Sequence, residues 1–193
     1  SVSSVDYFCS MSNKQYHPDT LAIRMQTERS VHREHSVPLF NTSSFVFNDA
    51  EQMRAMFADE EEGHIYSRYS NPNGREFELK MAALEGMEDG FATASGMSAV
   101  FASMASVLSA GDHIVASRAL FGASHSILTN VLPRFGITHT YIDPTEPSEV
   151  WEAAILPNTK MIFAETPSNP GLALVDLAML GDLANKHDLL FSV

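Results

Sequence analysis

Four short stretches carry groups suited to a charged ligand. Phe91-Ala-Thr-Ala-Ser-Gly-Met-Ser-Ala-Val-Phe101 reads as an apolar run forming a short strand, a Ser95-Gly96 corner, and a helix-forming run from Met97. Such a unit aims unpaired backbone N–H groups and the positive end of a helix dipole at one spot, where an anion, most simply a phosphate, is stabilised. A small residue at this corner serves packing alone in many βα units, and neither G-x-G-x-x-G nor G-x-x-x-x-G-K-[ST] occurs in the chain. The other stretches must therefore decide. Ile65-Tyr-Ser-Arg-Tyr-Ser-Asn-Pro-Asn-Gly74 reads as a loop from its Asn-Pro and Asn-Gly pairs. It offers the forked guanidinium of Arg68, suited to phosphate or carboxylate, and the ring-borne hydroxyl of Tyr66. Leu120-Phe-Gly-Ala123 offers the Phe121 ring. Glu165-Thr-Pro-Ser-Asn-Pro170 holds Asn169 between Pro167 and Pro170, in a rigid turn whose amide can meet a ligand and which, taken alone, is as readily only a turn.

The elements that must position these groups follow from periodicity and breakers. Asp19 to Glu28 suits a short helix. The segment from Glu34 to Phe47 is extended and irregular by virtue of Pro38 and its Asn/Thr/Ser cluster. Asn48 or Asp49 caps a helix carrying Met53, Met56 and Phe57, which runs into the acidic residues 59–62 and stops at Gly63; a further helix covers Glu76 to Leu84 and ends near Gly86. From there strands and helices alternate: strands at His113–Ser117, Ile137–Ile142, Lys160–Glu165 and Leu189–Val193, and helices at Ser124–Phe135 (broken late by Pro133), Pro147–Leu156 and Asp176–His187. Nearly all-apolar strands alternating with helices predict a parallel sheet covered on both faces, an α/β fold. Ligands of open parallel sheets sit beyond the C-terminal strand ends, where Ser95-Gly96-Met97, Phe121 and Glu165–Asn169 all fall.

With 193 residues, 45% of them hydrophobic, the chain can bury a core. Twenty-four acidic against twelve basic residues leave a net charge of −12, which argues against general affinity for nucleic acid or anionic membrane. Any positive spot must be local. The single cysteine, Cys9, allows no internal disulfide and fits a reducing compartment; with no long apolar run and no signal-like start, the expectation is a cytoplasmic protein. His32 and His35 lack partners at metal-site spacing, so no metal is expected.

Together, Tyr66-Ser-Arg-Tyr-Ser-Asn-Pro72, Ser95-Gly-Met97, Ala119-Leu-Phe-Gly122 and Glu165-Thr-Pro-Ser-Asn-Pro170, in this order, resemble the pyridoxal-phosphate-dependent enzymes of sulfur amino acid metabolism. That trans-sulfuration family includes cystathionine synthases and lyases, methionine lyases and homoserine sulfhydrylases. The resemblance runs from about residue 20 to residue 193. It implies the aspartate-aminotransferase-like large domain, three layers around a mainly parallel sheet and incomplete in this chain. Residues 1–62 would form an N-terminal arm and oligomerisation segment, and 63–193 the first part of the pyridoxal-phosphate-binding domain. It further implies that Ser95 and the amides of Gly96 and Met97 hold the cofactor phosphate, that Phe121 stacks on the ring, and that Asn169 lies near the cofactor's phenolic oxygen and the substrate carboxylate, supported by Glu165. Tyr66 and Arg68 would reach the phosphate in a neighbouring subunit, making a dimer or tetramer with shared active sites.

Two departures bear on function. Most members of the family carry tyrosine where this chain has Phe121, which keeps the stacking face and lacks the hydroxyl that assists proton transfer in γ-elimination. Phe121-Gly122, with Thr27-Glu-Arg29 and His32-Arg-Glu-His-Ser36, resembles O-succinyl- or O-acetylhomoserine sulfhydrylases more than lyases. The expected reaction is γ-replacement on an acylated homoserine by sulfide, giving homocysteine for methionine biosynthesis, with methionine γ-lyase or a cystathionine enzyme as the alternative. The second departure is that neither the family's Schiff-base lysine nor the aspartate that pairs with the pyridine nitrogen has a match. Lys14, Lys80, Lys160 and Lys186 stand elsewhere. The expectation is that these groups, and the strands between the first strand here and the one at Leu189, belong to a part of the protein beyond residue 193. A non-catalytic α/β binding protein is the alternative of another class.

Overall fold

A computed structural model describes residues 16–24 and 29–193. Cys9, Lys14 and Thr27-Glu28 lie outside the described residues. The described residues fall into two compact units, one ending at Ala92 and the other running from Thr93 to Val193.

In the first unit, α1 (Pro18–Arg24), α2 (Ala50–Phe57) and α3 (Pro72–Glu85) are joined by irregular chain. Asp49 caps α2, accepting the Gln52 N–H at 2.8 Å. The helix ends at Phe57 instead of continuing through the acidic run, because Asp59 turns at φ 55° and Glu60 folds back onto Arg54 at 2.7 Å. The start of α3 also differs from expectation. Pro72, Asn73 and Gly74 are its first turn, not a loop: the Asn71 side chain caps the Asn73 N–H at 2.9 Å, and Pro72 stands where a missing N–H costs nothing. Gly86, at φ 67°, closes the helix in the left-handed conformation that glycine takes freely.

The second unit is a parallel sheet of β1 (His113–Ser117), β2 (Thr138–Ile142), β3 (Thr159–Phe163) and β4 (Leu190–Ser192), in the order β2-β1-β3-β4. Its helices are α4 (Gly96–Ala105), α5 (Gly122–Ser126), α6 (Ser148–Ala153) and α7 (Leu177–His187). Strand alternation sends Ile114, Ala116, Met161 and Phe163 to one face, where they pack with Met104, Leu128 and Leu132. Val115 and Ile162 face the other way, against Trp151, Leu180 and Leu183. Each fully buried aliphatic side chain contributes on the order of 1.5–3 kcal/mol, so the two apolar layers fix which way the strand ends point.

Two expectations are corrected here. Phe91–Ala94 forms no strand: it joins no ladder, and Phe91 is 83% exposed. An apolar run becomes a strand only by pairing, and Phe91–Ala94 finds no partner among the described residues. β4 pairs only with β3, so its other edge, where the expectation sets the missing strands, carries no partner among the described residues. The single helix over Ser124–Phe135 is instead α5, a π-turn at Ile127–Val131 and a 3₁₀ turn at Leu132–Phe135. Pro133 lacks the N–H that would bond to Thr129 and crowds that carbonyl, so the register widens before the proline.

Candidate functional site

At the C-terminal rim of the sheet, β1 delivers Leu120-Phe121 and β3 delivers Glu165 to Asn169. Glu165 joins the two loops. Its Oε2 accepts the Phe121 N–H at 2.9 Å and its Oε1 accepts the Asn169 N–H at 3.0 Å. Phe121 is the N-cap residue of α5 and has no side-chain cap of its own, so this carboxylate stands in for one. The Asn169 turn is closed from inside by buried Ser168, whose carbonyl accepts the Leu172 N–H at 2.8 Å and whose Oγ accepts the Ala173 N–H at 3.0 Å. The Phe121 ring stays 42% exposed and Asn169 is exposed, so both remain available to a ligand.

The start of α4 is made by Ser95, whose Oγ accepts the Ser98 N–H at 3.2 Å. The first intrahelical bond runs from Ala99 N–H to Ser95 C=O at 3.1 Å, so the helix supplies no acceptor for the Gly96 and Met97 N–H groups. A Cβ built on Gly96 would meet nothing within 4 Å, so open space flanks these amides. Met97 and Val100 anchor the helix on the Leu128 side of the core, and α4 packs against α5. The chemistry of these groups, an amide pair at a helix start, an exposed aromatic ring and an asparagine turn, fits a phosphorylated planar cofactor.

In the first unit, Tyr66 and Arg68 stand on a tight turn closed by the Tyr69 N–H to Tyr66 C=O bond at 2.8 Å. Residues 38–45, read as irregular, are a strap behind this turn. Ser44 and Tyr66 form an antiparallel bridge, and the Ser67 N–H donates to Ser43 C=O at 2.9 Å. Asn71 Nδ2 donates to Phe40 C=O at 3.0 Å; Asn73 donates to Pro38 C=O at 2.7 Å and accepts the Phe40 N–H at 2.8 Å. The Asn-Pro-Asn sequence therefore caps a helix and pairs the strap at once. The Arg68 guanidinium carbon lies 4.5 Å from the Tyr69 ring centroid and 5.7 Å from that of Tyr66. Tyr69, the second tyrosine of this loop, thus lies nearer the guanidinium than Tyr66 does.

Burial displaces the pKa values of several rings in the second unit. His113, at the opposite end of β1 from the rim, is 2% exposed and bonded to the hydroxyls of Thr159 at 2.8 Å and Thr140 at 3.0 Å; burial, then His139, lowers its pKa. Burial, then His125, lowers that of His139. Burial pushes the Tyr141 phenol up to about 12, with Arg118 opposing. Lys80 pairs with Glu76 at 3.1 Å and Lys186 with Glu152 at 2.6 Å. Among the described residues no three His, Cys, Asp or Glu side chains could hold a metal ion, and no helix is long and apolar enough to cross a membrane.

Residues 19–193 match the model of the Cys/Met metabolism PLP-dependent enzyme family. O-succinylhomoserine sulfhydrylase of Pseudomonas aeruginosa is 47% identical over 175 residues, covering 91% of this chain and 43% of that protein. L-methionine gamma-lyase of Porphyromonas gingivalis is 44% identical over 153 residues, covering 79% of the chain and 38% of that protein. A crystal structure of a Campylobacter jejuni protein assigned as an O-acetylhomoserine (thiol)-lyase, bearing N'-pyridoxyl-lysine-5'-monophosphate, superposes with a TM-score of 0.87 at 32% identity over 92% of this chain and 44% of that one. The chain thus spans less than half the length of the relatives it matches. With its parallel α/β sheet and these four motifs in order, the chain belongs to the Cys/Met metabolism PLP-dependent enzyme family.

Proposed function

We propose that the protein carrying this chain catalyses γ-replacement on O-succinyl- or O-acetylhomoserine with sulfide, giving homocysteine, and that residues 93–193 supply the cofactor-holding half of its site. The observation that carries this is Phe121: a phenyl face without a hydroxyl, held at the rim by Glu165. The 47% identity to an O-succinylhomoserine sulfhydrylase supports the same reading. Gly96 and Met97 N–H groups, with Ser95, bind the cofactor phosphate. Phe121 stacks on the ring and excludes water from that face. Asn169 presents its amide to the cofactor's phenolic oxygen and the substrate carboxylate. Tyr66 and Arg68 bind the phosphate of a neighbouring subunit, in a homodimer or homotetramer whose arm is residues 1–62. Pyridoxal phosphate, when bound, supplies an electron sink for the substrate's α-carbon.

Proton movement falls to groups other than these. Phe121 has no proton to give, and among the described lysines Lys80 and Lys186 are committed to carboxylates while Lys160 lies within β3. The test uses the full-length gene product: homocysteine from an acylhomoserine plus sulfide, against α-ketobutyrate from methionine. Faster ketoacid release than replacement would transfer the assignment to the lyases.

A further inference from the structure

Arg68 makes no ion pair among the described residues, in a chain with twice as many acidic as basic side chains. What holds it is aromatic: Tyr69 lies under the guanidinium at 4.5 Å, with its hydroxyl 3.5 Å from Arg68 Nη2. Both rings are exposed, Tyr66 by 42% and Tyr69 by 64%. They are not core residues that happen to touch an arginine. Their base is fixed, because the turn is closed between Tyr66 and Tyr69, Ser67 Oγ donates to Thr42 C=O at 2.5 Å, and Ser70 Oγ meets His64 Nδ1 at 2.9 Å. A guanidinium held over a ring loses less freedom when it grips an anion, and the contact with the ring's hydroxyl engages Nη2 alone.

We propose that Tyr69 is a positioning residue for Arg68, holding the guanidinium plane ready for a phosphate monoester. The inference rests on Arg68 binding the cofactor phosphate, and its test separates the two. In the full-length apoprotein, pyridoxal phosphate and phosphate-free pyridoxal are titrated by fluorescence against wild type, Tyr69→Phe, Tyr69→Leu, Arg68→Ala and the Arg68→Ala/Tyr69→Leu double variant. Tyr69→Leu is expected to weaken pyridoxal phosphate about two- to five-fold, as for loss of an exposed cation–π contact. Tyr69→Phe, which keeps the face, should bind like wild type. Pyridoxal affinity should not change, and on the Arg68→Ala background Tyr69→Leu should add nothing. A Tyr69→Leu protein that binds like wild type, or a loss that persists with pyridoxal or without Arg68, overturns the proposal. An Arg68→Ala protein with undiminished affinity would instead overturn the phosphate role of Arg68 itself. Melting temperatures identify any variant that fails to fold.

Discussion

Glu165 accepts the N–H of Phe121 at 2.9 Å across 44 positions of sequence, so one carboxylate sets the place of the aromatic platform and, through its other oxygen, of Asn169. Glutamine has one acceptor oxygen and must leave one of those N–H groups facing an NH₂. Glu165→Gln should therefore weaken cofactor binding by about tenfold, the worth of one hydrogen bond to a charged acceptor at about 1.5 kcal/mol. Amide exchange by mass spectrometry should rise in peptides covering Phe121 or Asn169. Unchanged exchange in both would mean that the carboxylate positions neither.

Gly96 separates stability from binding. The space beside it is open, so Gly96→Ala should fold at least as well as wild type, with up to about 0.4–1 kcal/mol of gain from a less flexible unfolded chain. The same methyl would occupy the room in front of the α4 amides. Equilibrium dialysis is expected to show at least a tenfold loss of pyridoxal phosphate; full affinity would place the phosphate elsewhere.

Glu76 is 5% exposed and its charge is met by Lys80 at 3.1 Å. Lys80→Met should cost about 2–3 kcal/mol, less than for a fully buried pair because Lys80 retains some solvent contact. Adding Glu76→Gln should recover part of that loss, since a buried carboxylate charge is removed. Denaturation midpoints decide, and a single variant as stable as the double one would show that the pair carries no such energy.

Acid sensitivity follows from His113. The folded protein holds its pKa below the ordinary 6.5, so the unfolded chain binds the proton more readily. Its contribution to stability is complete above about pH 6.5 and is lost as pH falls through that value towards the depressed folded one. His64 and His139 are displaced in the same direction, chiefly by burial. The apparent melting temperature should thus drop between pH 7.5 and 5.5, and less steeply in His113→Asn. A parallel drop in both proteins would assign the sensitivity to other groups.

Local chemistry was enough to determine much of this protein. Apolar runs bounded by breakers located β1, β2, β3 and β4, and Asp49, Gly86 and Asp176 marked helix ends, because caps and periodicity act within a few residues. The helix start at Ser95 and the proline-flanked turn at Asn169 are legible for the same reason. Only the tertiary structure decided what depends on distant partners. Phe91–Ala94 looks like a strand and is none, since no neighbour pairs with it. Asn71-Pro72-Asn73 looks like a turn and starts a helix, since Pro38 and Phe40 take up the asparagine amides. The Glu165 bridge and the stacking of Arg68 on Tyr69 are geometric facts, set by where backbone and rings come to rest, and residue order alone does not specify them.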